Sequence, residues 1–195
     1  MSKSRLEAFS DGVIAILITI LVLEFEVPHG STLGALRPLA PIFLAYVLSF
    51  LYVAIYWNNH HHMLHSAERV SGAILWANLH LLFWLSLIPF ATAWLGSHPR
   101  AAAPTAAYGA VLLGAALAYR LLQEAIARHH GGASSALGRA VGRDRKGTLS
   151  IAGYAAAIGL AFVAPVVAQA VFVAIAVWWV IPDRRIENVL SGAAR

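Results

Sequence analysis

The chain has 195 residues, of which 59% are hydrophobic and only 12% are charged, and its mean hydropathy is +0.70. Soluble domains carry about 25% charged residues, so the composition excludes that class and indicates one membrane domain. The chain has no cysteine, which excludes disulfides and cysteine-based metal or redox sites. Its formal charge of +5 resides in loops between apolar segments, so we expect the lipid bilayer as a partner and no nucleic acid.

The apolar segments predict an all-α integral membrane protein with six transmembrane helices. A helix needs about 20 apolar residues to cross a bilayer. The predicted spans are at about residues 5–25, 39–59, 72–95, 105–127, 148–163 and 166–181, which form a single domain, 1–195. The last two come from the stretch Thr148–Ile181, which as one helix would be about 50 Å long. Pro165 at its midpoint favours a hairpin of two short helices; a kinked or partly re-entrant arrangement is the alternative.

Lys and Arg are distributed unevenly between the two ends of these spans. With six spans, only Arg37 and Arg100 fall in loops on one side, and all other basic residues lie at the opposite ends. Cytoplasmic loops carry the excess of Lys and Arg. We therefore predict cytoplasmic N- and C-termini, with the longest loop, His129–Gly147, also in the cytoplasm.

The first apolar segment carries a stripe of residues at steps of four, three, four and three. One interpretation is a packing seam, because small and branched residues at this spacing are common where membrane helices meet. The stripe consists of Gly12, Ile16, Thr19, Leu23 and Glu26, with Ile20 at its edge.

The other interpretation of this stripe is the wall of a pore shared by several subunits. Hydrophobic constrictions can gate a channel by dewetting, and acidic rings favour cations. In this arrangement Ile16, Ile20 and Leu23 would form apolar rings and Thr19 a hydroxyl ring. Glu24 or Glu26 would form an acidic outer mouth.

Ionisable residues at the start of the same segment need partners. Arg5 and Asp11 are six residues apart, so they point to different sides of a helix and each requires a partner on another helix, or lipid headgroups in the case of Arg5. For Asp11 with Ser10 we predict an interhelical polar cluster that holds the bundle together. A proton-relay role for Asp11 is the alternative.

The segment "WNNHHHMLHSAER" (residues 57–69) contains four histidines. His61 and His65 are one turn apart, which would suit a shared metal ion if the helix continues that far. No Glu lies inside this spacing as in "HExxH". The simpler interpretation is a polar cluster at the inner end of the helix that supplies hydrogen-bond donors to Ser10 or Asp11, with no metal bound.

Three segments carry a resemblance to a known family. "RLEAFSDGVIAI" resembles the first-helix signature of the lysosomal and endosomal potassium channels, the transmembrane protein 175 family. "YWNNHHHML" and "WWVIPDRRIE" are similar to the ends of the second and last helices of its bacterial members. The resemblance implies a homotetramer in the bacterial inner (plasma) membrane, with a central pore lined by first helices and no conventional filter loop.

Residue by residue, the resemblance implies a constriction at Ile16, further apolar rings at Ile20 and Leu23, and a pore threonine at Thr19. The signature residues would hold polar contacts to neighbouring helices; they are Arg5, Phe9, Ser10 and Asp11, together with the region His60–His62. The expected function is a potassium-preferring cation channel without enzymatic activity or cofactor, permeated by K⁺ and other monovalent cations. A histidine-dependent metal enzyme and a proton-coupled transporter using Asp11 are the alternatives.

Overall fold

The computed structural model describes residues 2–65, 67, 69–129 and 144–180, and every regular element within them is a helix. The predicted all-α class is therefore confirmed. Most of the predicted cytoplasmic loop and the C-terminal residues Arg184, Arg185 and Arg195 lie outside the described residues. The helices are α1 Lys3–Leu23, a 3₁₀ helix Leu33–Leu39, α2 Ala40–His65, α3 Gly72–Ser86, α4 Ile88–Ser97, α5 Ala102–His129, α6 Arg145–Ala161 and α7 Pro165–Val180.

The predicted span 72–95 is not one helix but two, α3 and α4, which meet at Leu87. Leu87 closes α3 and also opens α4. Pro89 lies in the first turn of α4, where it has no N–H to continue the ladder of the preceding helix. Together α3 and α4 still form a 26-residue apolar segment, so the break does not shorten the segment.

The second helix is longer than the predicted span 39–59, because α2 continues to His65. No proline or glycine interrupts residues 59–65, and Lys3 Nζ donates a 2.7 Å hydrogen bond to the His65 carbonyl, which would otherwise be unsatisfied at the helix end. The histidine cluster therefore lies on the last two turns of a helix, and the start of α1 is tied to the end of α2.

The last apolar stretch forms two helices joined by a tight turn. Pro165 is the first residue of α7, a position that tolerates its missing N–H. The backbone amides of Val163 and Ala164 both bond to the Leu160 carbonyl, which closes α6. The two helices have 17 and 16 residues and pack against each other. Within the described residues, four longer apolar segments are long enough to cross a membrane: Lys3–Leu23, Leu33–His65, Gly72–Ser97 and Ala102–His129.

Helix α5 forms the centre of the packing, and α1 lies at one edge. α5 contacts α3, α4, α6 and α7, most extensively α3 and α6, and buries Leu112, Ala115, Leu122 and Ile126 completely. α1 packs against α2, α3 and α4. This arrangement leaves one whole side of α1 without contacts to the rest of the described chain.

Two helix crossings depend on glycine because the backbones approach closely. A Cβ on Gly96 of α4 would lie 2.8 Å from the Ile42 Cα in α2, and a Cβ on Gly114 of α5 would overlap the Trp84 ring. At Gly159 in α6, by contrast, a Cβ would meet nothing within 4 Å.

The close crossing of α2 and α4 leads to a first prediction, tested with a matched pair of glycine-to-alanine variants. Gly96→Ala should lower the thermal unfolding midpoint of the purified protein, because overpacking against backbone costs about 1–3 kcal/mol. Gly159→Ala should leave it unchanged or raise it, since alanine favours a helix by up to about 1 kcal/mol over glycine. Equal midpoints for the two variants would contradict the close approach of α4 to α2.

Candidate pore helix and its polar anchor

One face of α1 is buried against the other helices of the chain. Its residues recur at steps of four, four, three and four, which keeps them on one side of a 3.6-residue helix. Each of them is at most 5% exposed. They are Leu6, Ser10, Ile14, Leu17 and Leu21.

The stripe singled out in the sequence lies on the opposite, exposed side of α1. The exposed fraction is 58% for Ile16, 36% for Ile20 and 77% for Leu23, and Gly12 and Thr19 are also exposed. A packing seam with another helix of the same chain would bury these side chains. Their exposure therefore excludes a seam within the described part of one chain. The stripe is free to face lipid or another copy of the chain.

Three polar side chains lie near this stripe, one within α1 and two at or beyond its C-terminal end. Thr19 Oγ1 donates to the Ile16 carbonyl at 2.7 Å, so its proton points back to the helix and its lone pairs point outward. Glu24 is the C-cap residue of α1 and is half-buried. Glu26 lies beyond the helix end and is exposed.

A buried chain of hydrogen bonds joins α1 to α2 and α3 through Ser10, Asn78 and His60. The Asn78 Nδ2 group donates to Ser10 Oγ at 2.9 Å, and Asn78 Oδ1 accepts from His60 Nε2 at 2.6 Å. Ser10 Oγ in turn donates to the Leu6 carbonyl at 2.9 Å. All three side chains are at most 1% exposed. The amide of Asn78 therefore bridges three helices, and we call this group the polar anchor.

Asp11 has a separate partner on α2. Trp57 Nε1 donates to Asp11 Oδ1 at 3.0 Å, so a charge-assisted hydrogen bond ties the carboxylate to the neighbouring helix. Asp11 is half-buried, and Trp57 is exposed. The predicted interhelical role of Asp11 thus has a geometric basis, with an indole rather than a histidine as the donor.

The structure does not bring all the predicted polar residues into this network. Arg5 and Phe9 are exposed. Arg5 has no hydrogen bond or ion pair within the described part of the chain, which is compatible with lipid headgroups as its partner. His61 stacks on Trp57 and on His65 with ring centroids 6.3 Å apart, and His62 lies edge-on to His61. Of the three predicted histidines, only His60 is linked to the first helix, through Asn78.

The histidine cluster does not form a metal site in the described residues, where no group of three or more His, Asp or Glu side chains converges. His61 and His65 lie on one helix face, as the metal hypothesis required, but their rings are stacked on each other. A third protein ligand is needed for a catalytic metal centre. Among the described side chains none completes such a set.

Two members of the network are not identified by sequence reasoning. The position of Trp57 near a span end is typical of an interfacial aromatic belt, and Asn78 carries no motif. A signal for Asn78 is nevertheless present, because it is an amide in the middle of an apolar span, where an unpaired polar group is costly. Its partners cannot be read from the sequence, since they lie 68 and 18 residues away.

The polar anchor leads to a second prediction. Asn78→Ala should destabilise the protein by about 1–3 kcal/mol, because it leaves Ser10 and His60 without their buried partner. Asn58→Ala is the matched control, since Asn58 is an exposed amide on α2. The readout is the thermal unfolding midpoint in detergent. If both variants shift the midpoint equally, the buried bridge does not hold the helices together.

The Asp11–Trp57 hydrogen bond leads to a third prediction. Asp11→Ala and Trp57→Phe should each lower the yield of monodisperse protein in size-exclusion chromatography. The yield of the double variant should fall by less than the sum of the two single reductions, because both changes remove the same interaction. Glu7→Ala is the control, since it also removes a carboxylate from α1, but one whose ion pair with Lys3 is long, at 3.9 Å, and partly exposed. Normal yield of Asp11→Ala with an altered ion preference would contradict an anchoring role.

Comparisons with known proteins place this geometry in a family. A family model described as the endosomal/lysosomal potassium channel TMEM175 matches residues 5–89, a range that contains the whole polar anchor. A potassium channel of Chryseobacterium sp. (strain P1-3) is 50% identical over 191 residues, which cover 98% of this chain and 99% of that protein. The human endosomal/lysosomal proton channel TMEM175 is 37% identical over 103 residues, which cover 47% of this chain and 20% of the human protein.

A solved structure agrees with these matches over nearly the whole fold. It is the crystal structure of a lysosomal potassium-selective channel TMEM175 homolog from Chamaesiphon minutus, with a TM-score of 0.80 and 29% identity over 92% of this chain and 96% of that chain. These relatives are channels, so the alternative of a histidine-dependent enzyme is wrong. The chain is a membrane protein and belongs to the TMEM175 family of endosomal/lysosomal potassium channels.

Proposed function

We propose that the chain forms a homotetrameric, potassium-preferring cation channel whose central pore is lined by α1. The observation that carries this proposal is the two-sided character of α1. One face is held by buried hydrogen bonds to α2 and α3, and the opposite face presents an exposed stripe of regular spacing. Four copies arranged around an axis would bring these stripes together, which is the closed symmetry expected of a homo-oligomer.

The constriction in this proposal consists of Ile16, Ile20 and Leu23. Their side chains are the large apolar groups of the exposed stripe, and rings of such groups exclude water when they approach closely. A pore of this kind closes by dewetting, without a charged gate. Ile16 lies one turn beyond Gly12 on the same face, so the helices can approach each other closely near this level.

Thr19 supplies the polar level between these apolar rings. Its hydroxyl hydrogen is used by the Ile16 carbonyl, so a ring of four Thr19 oxygens would offer lone pairs to a passing cation. Oxygen ligands can replace part of the hydration shell of a monovalent cation. K⁺ is the permeant ion we propose, and other monovalent cations pass less readily.

The two ends of the pore differ in charge. Glu24 and Glu26 follow the C-terminal end of α1, where acidic groups would concentrate cations at the outer mouth. The end at which α1 begins carries Lys3 and Arg5. This polarity and the distribution of basic residues support cytoplasmic termini in a bacterial inner membrane.

The names of the relatives support potassium as the ion. The Chryseobacterium relative is named a potassium channel, and so are bacterial relatives from Streptomyces collinus and Chamaesiphon minutus. The vertebrate relatives are named proton channels, but they match only 47% of this chain. The hydrogen bond between Asp11 and Trp57 favours an anchor over the alternative of a proton-coupled transporter, since it engages the carboxylate.

The constriction leads to a fourth prediction, measured as ion flux in liposomes under a potassium gradient and then a sodium gradient. Wild-type protein should conduct K⁺ faster than Na⁺. Ile16→Asn should raise both fluxes and reduce their ratio, because a polar ring is easier to hydrate than an apolar one.

The control for this experiment is Leu117→Asn, which places the same polar side chain on an exposed position of α5. It should leave the fluxes unchanged. Unchanged fluxes in Ile16→Asn would remove Ile16 from the gate, and equal effects of both variants would argue against a pore lined by α1.

A further inference from the structure

A second feature of the chain lies on the side of α2 that faces away from α1. A partly open cavity of about 40 Å³ lies between α2, α5, α6 and α7, near the end of the bundle at which α1 begins. Five of its fourteen lining residues are aromatic. The rings that line it belong to Tyr52, Tyr56, Tyr119, Tyr154 and Trp179.

The polar side chain of Gln123 opens into this cavity without a protein partner. Gln123 is only 8% exposed, and its amide has no hydrogen bond to any described residue. No fully enclosed side-chain nitrogen or oxygen in the described part of the chain lacks a partner, so the unbonded Gln123 amide is in contact with the cavity space. An amide offers two donor hydrogens and an acceptor oxygen, and burying them unpaired is costly. A guest molecule that forms hydrogen bonds would satisfy this amide.

The size and charge of the cavity limit what this molecule can be. One water needs about 10–15 Å³ of such space, so there is room for about three waters or for a guest of a few heavy atoms. The charged groups at the rim already have partners. Arg120 pairs with Glu124 at 3.4 Å and donates to Thr148 at 2.9 Å, and Asp144 accepts from the Gly147 amide at 2.9 Å. The pocket thus suits small uncharged guests.

The cavity is connected to the pore helix through two turns of α2. Tyr56 and Asn59 line the cavity. The next residue after each takes part in positioning α1: Trp57 donates to Asp11 of α1, and His60 bonds to Asn78 of α3, which in turn donates to Ser10 of α1. The same segment of α2 therefore lines the cavity on one side and, on the other, is bonded to α1 directly at Trp57 and through Asn78 at His60. A change in the packing of the cavity would therefore act on the groups that position α1.

We propose that this cavity is a hydrated pocket that binds small neutral hydrogen-bonding molecules, and that filling it changes ion flux by displacing the turns of α2 that anchor α1. The flux part of this inference rests on the proposed channel function. The pocket itself does not, and it is separate from the axis along which ions would pass.

The absence of cysteine allows the pocket to be tested by single cysteine substitutions. Ala116 lines the cavity, and its neighbour Ala115 is fully buried outside it. Ala116→Cys and Ala115→Cys would be treated with methyl methanethiosulfonate, which converts an accessible thiolate to a small neutral methyl disulfide. Intact mass counts the label, and liposome flux of K⁺ is measured before and after treatment.

The expected result is complete labelling of Ala116→Cys, slow or no labelling of Ala115→Cys, and a change in flux only in the former. Coupling between two sites in a protein typically changes the affinity at one of them by about fivefold or more. We expect the K⁺ flux to change by about the same factor. Treated wild-type protein controls for effects of the reagent. If Ala116→Cys does not fold, Ile151→Cys replaces it, since Ile151 lines the same cavity.

Three results would overturn the inference. Absence of labelling at Ala116→Cys would mean a dry or closed cavity, and equal labelling of Ala115→Cys would mean that access comes from local unfolding. Labelling without a change in flux would mean that the pocket is not coupled to α1.

Failure of the channel function itself is recognised by absent flux in untreated wild-type protein. The labelling contrast then still decides whether the pocket exists. Coupling would in that case be measured from thermal unfolding midpoints. Labelling of Ala116→Cys should change the fall in midpoint that Trp57→Phe causes, and an unchanged fall would overturn the inference.

Discussion

The hydrogen-bonded bridge of Ser10, Asn78 and His60 is the interaction on which the orientation of the first helix depends. An apolar helix in a lipid environment has little reason to prefer one rotation about its axis, because lipid tails solvate its aliphatic side chains as well as other helices do. A buried serine and a buried asparagine remove this freedom, since each polar group must find its partner. Once Ser10 faces α3, Ile16, Thr19 and Leu23 must point to the opposite side.

The need of buried polar groups for partners also bears on α2, which has functional contacts on two of its sides. Its side toward α1 carries His60 and Trp57, and its side toward α5 and α6 carries tyrosines that line an internal cavity. The position of these turns therefore depends on contacts on both sides of the helix. Polar networks of this kind specify one arrangement when every member is satisfied, and they make the arrangement sensitive to changes in any one member.

Proline and glycine residues determine how the remaining helices pack around α1 and α2. Pro89 divides one apolar segment into α3 and α4, and Pro165 divides another into α6 and α7. Gly96 lets the backbone of α4 approach Ile42 of α2, and Gly114 accommodates the ring of Trp84 against α5. The helices can therefore surround α5 closely while α1 stays at the edge with one free side.

The sequence by itself determined the features that depend on local order. Hydropathy and length identified a helical membrane protein, Pro165 predicted the hairpin, and a periodicity of three and four residues placed Ile16, Thr19 and Leu23 on one face of α1. The motif around Ser10 and Asp11 identified the family. These inferences hold because helix geometry fixes which neighbours share a face.

Only the tertiary structure decided which side of α1 is buried and which residues hold it. Asn78 and Trp57 became partners of the first helix through contacts 68 and 46 residues apart in the chain, and His60 was separated from His61 and His62 because only one of three successive residues on a helix faces a given neighbour. The break at Leu87 and the unpaired amide of Gln123 likewise depend on packing between helices. Such contacts join distant parts of the chain, and no local pattern of residues specifies them.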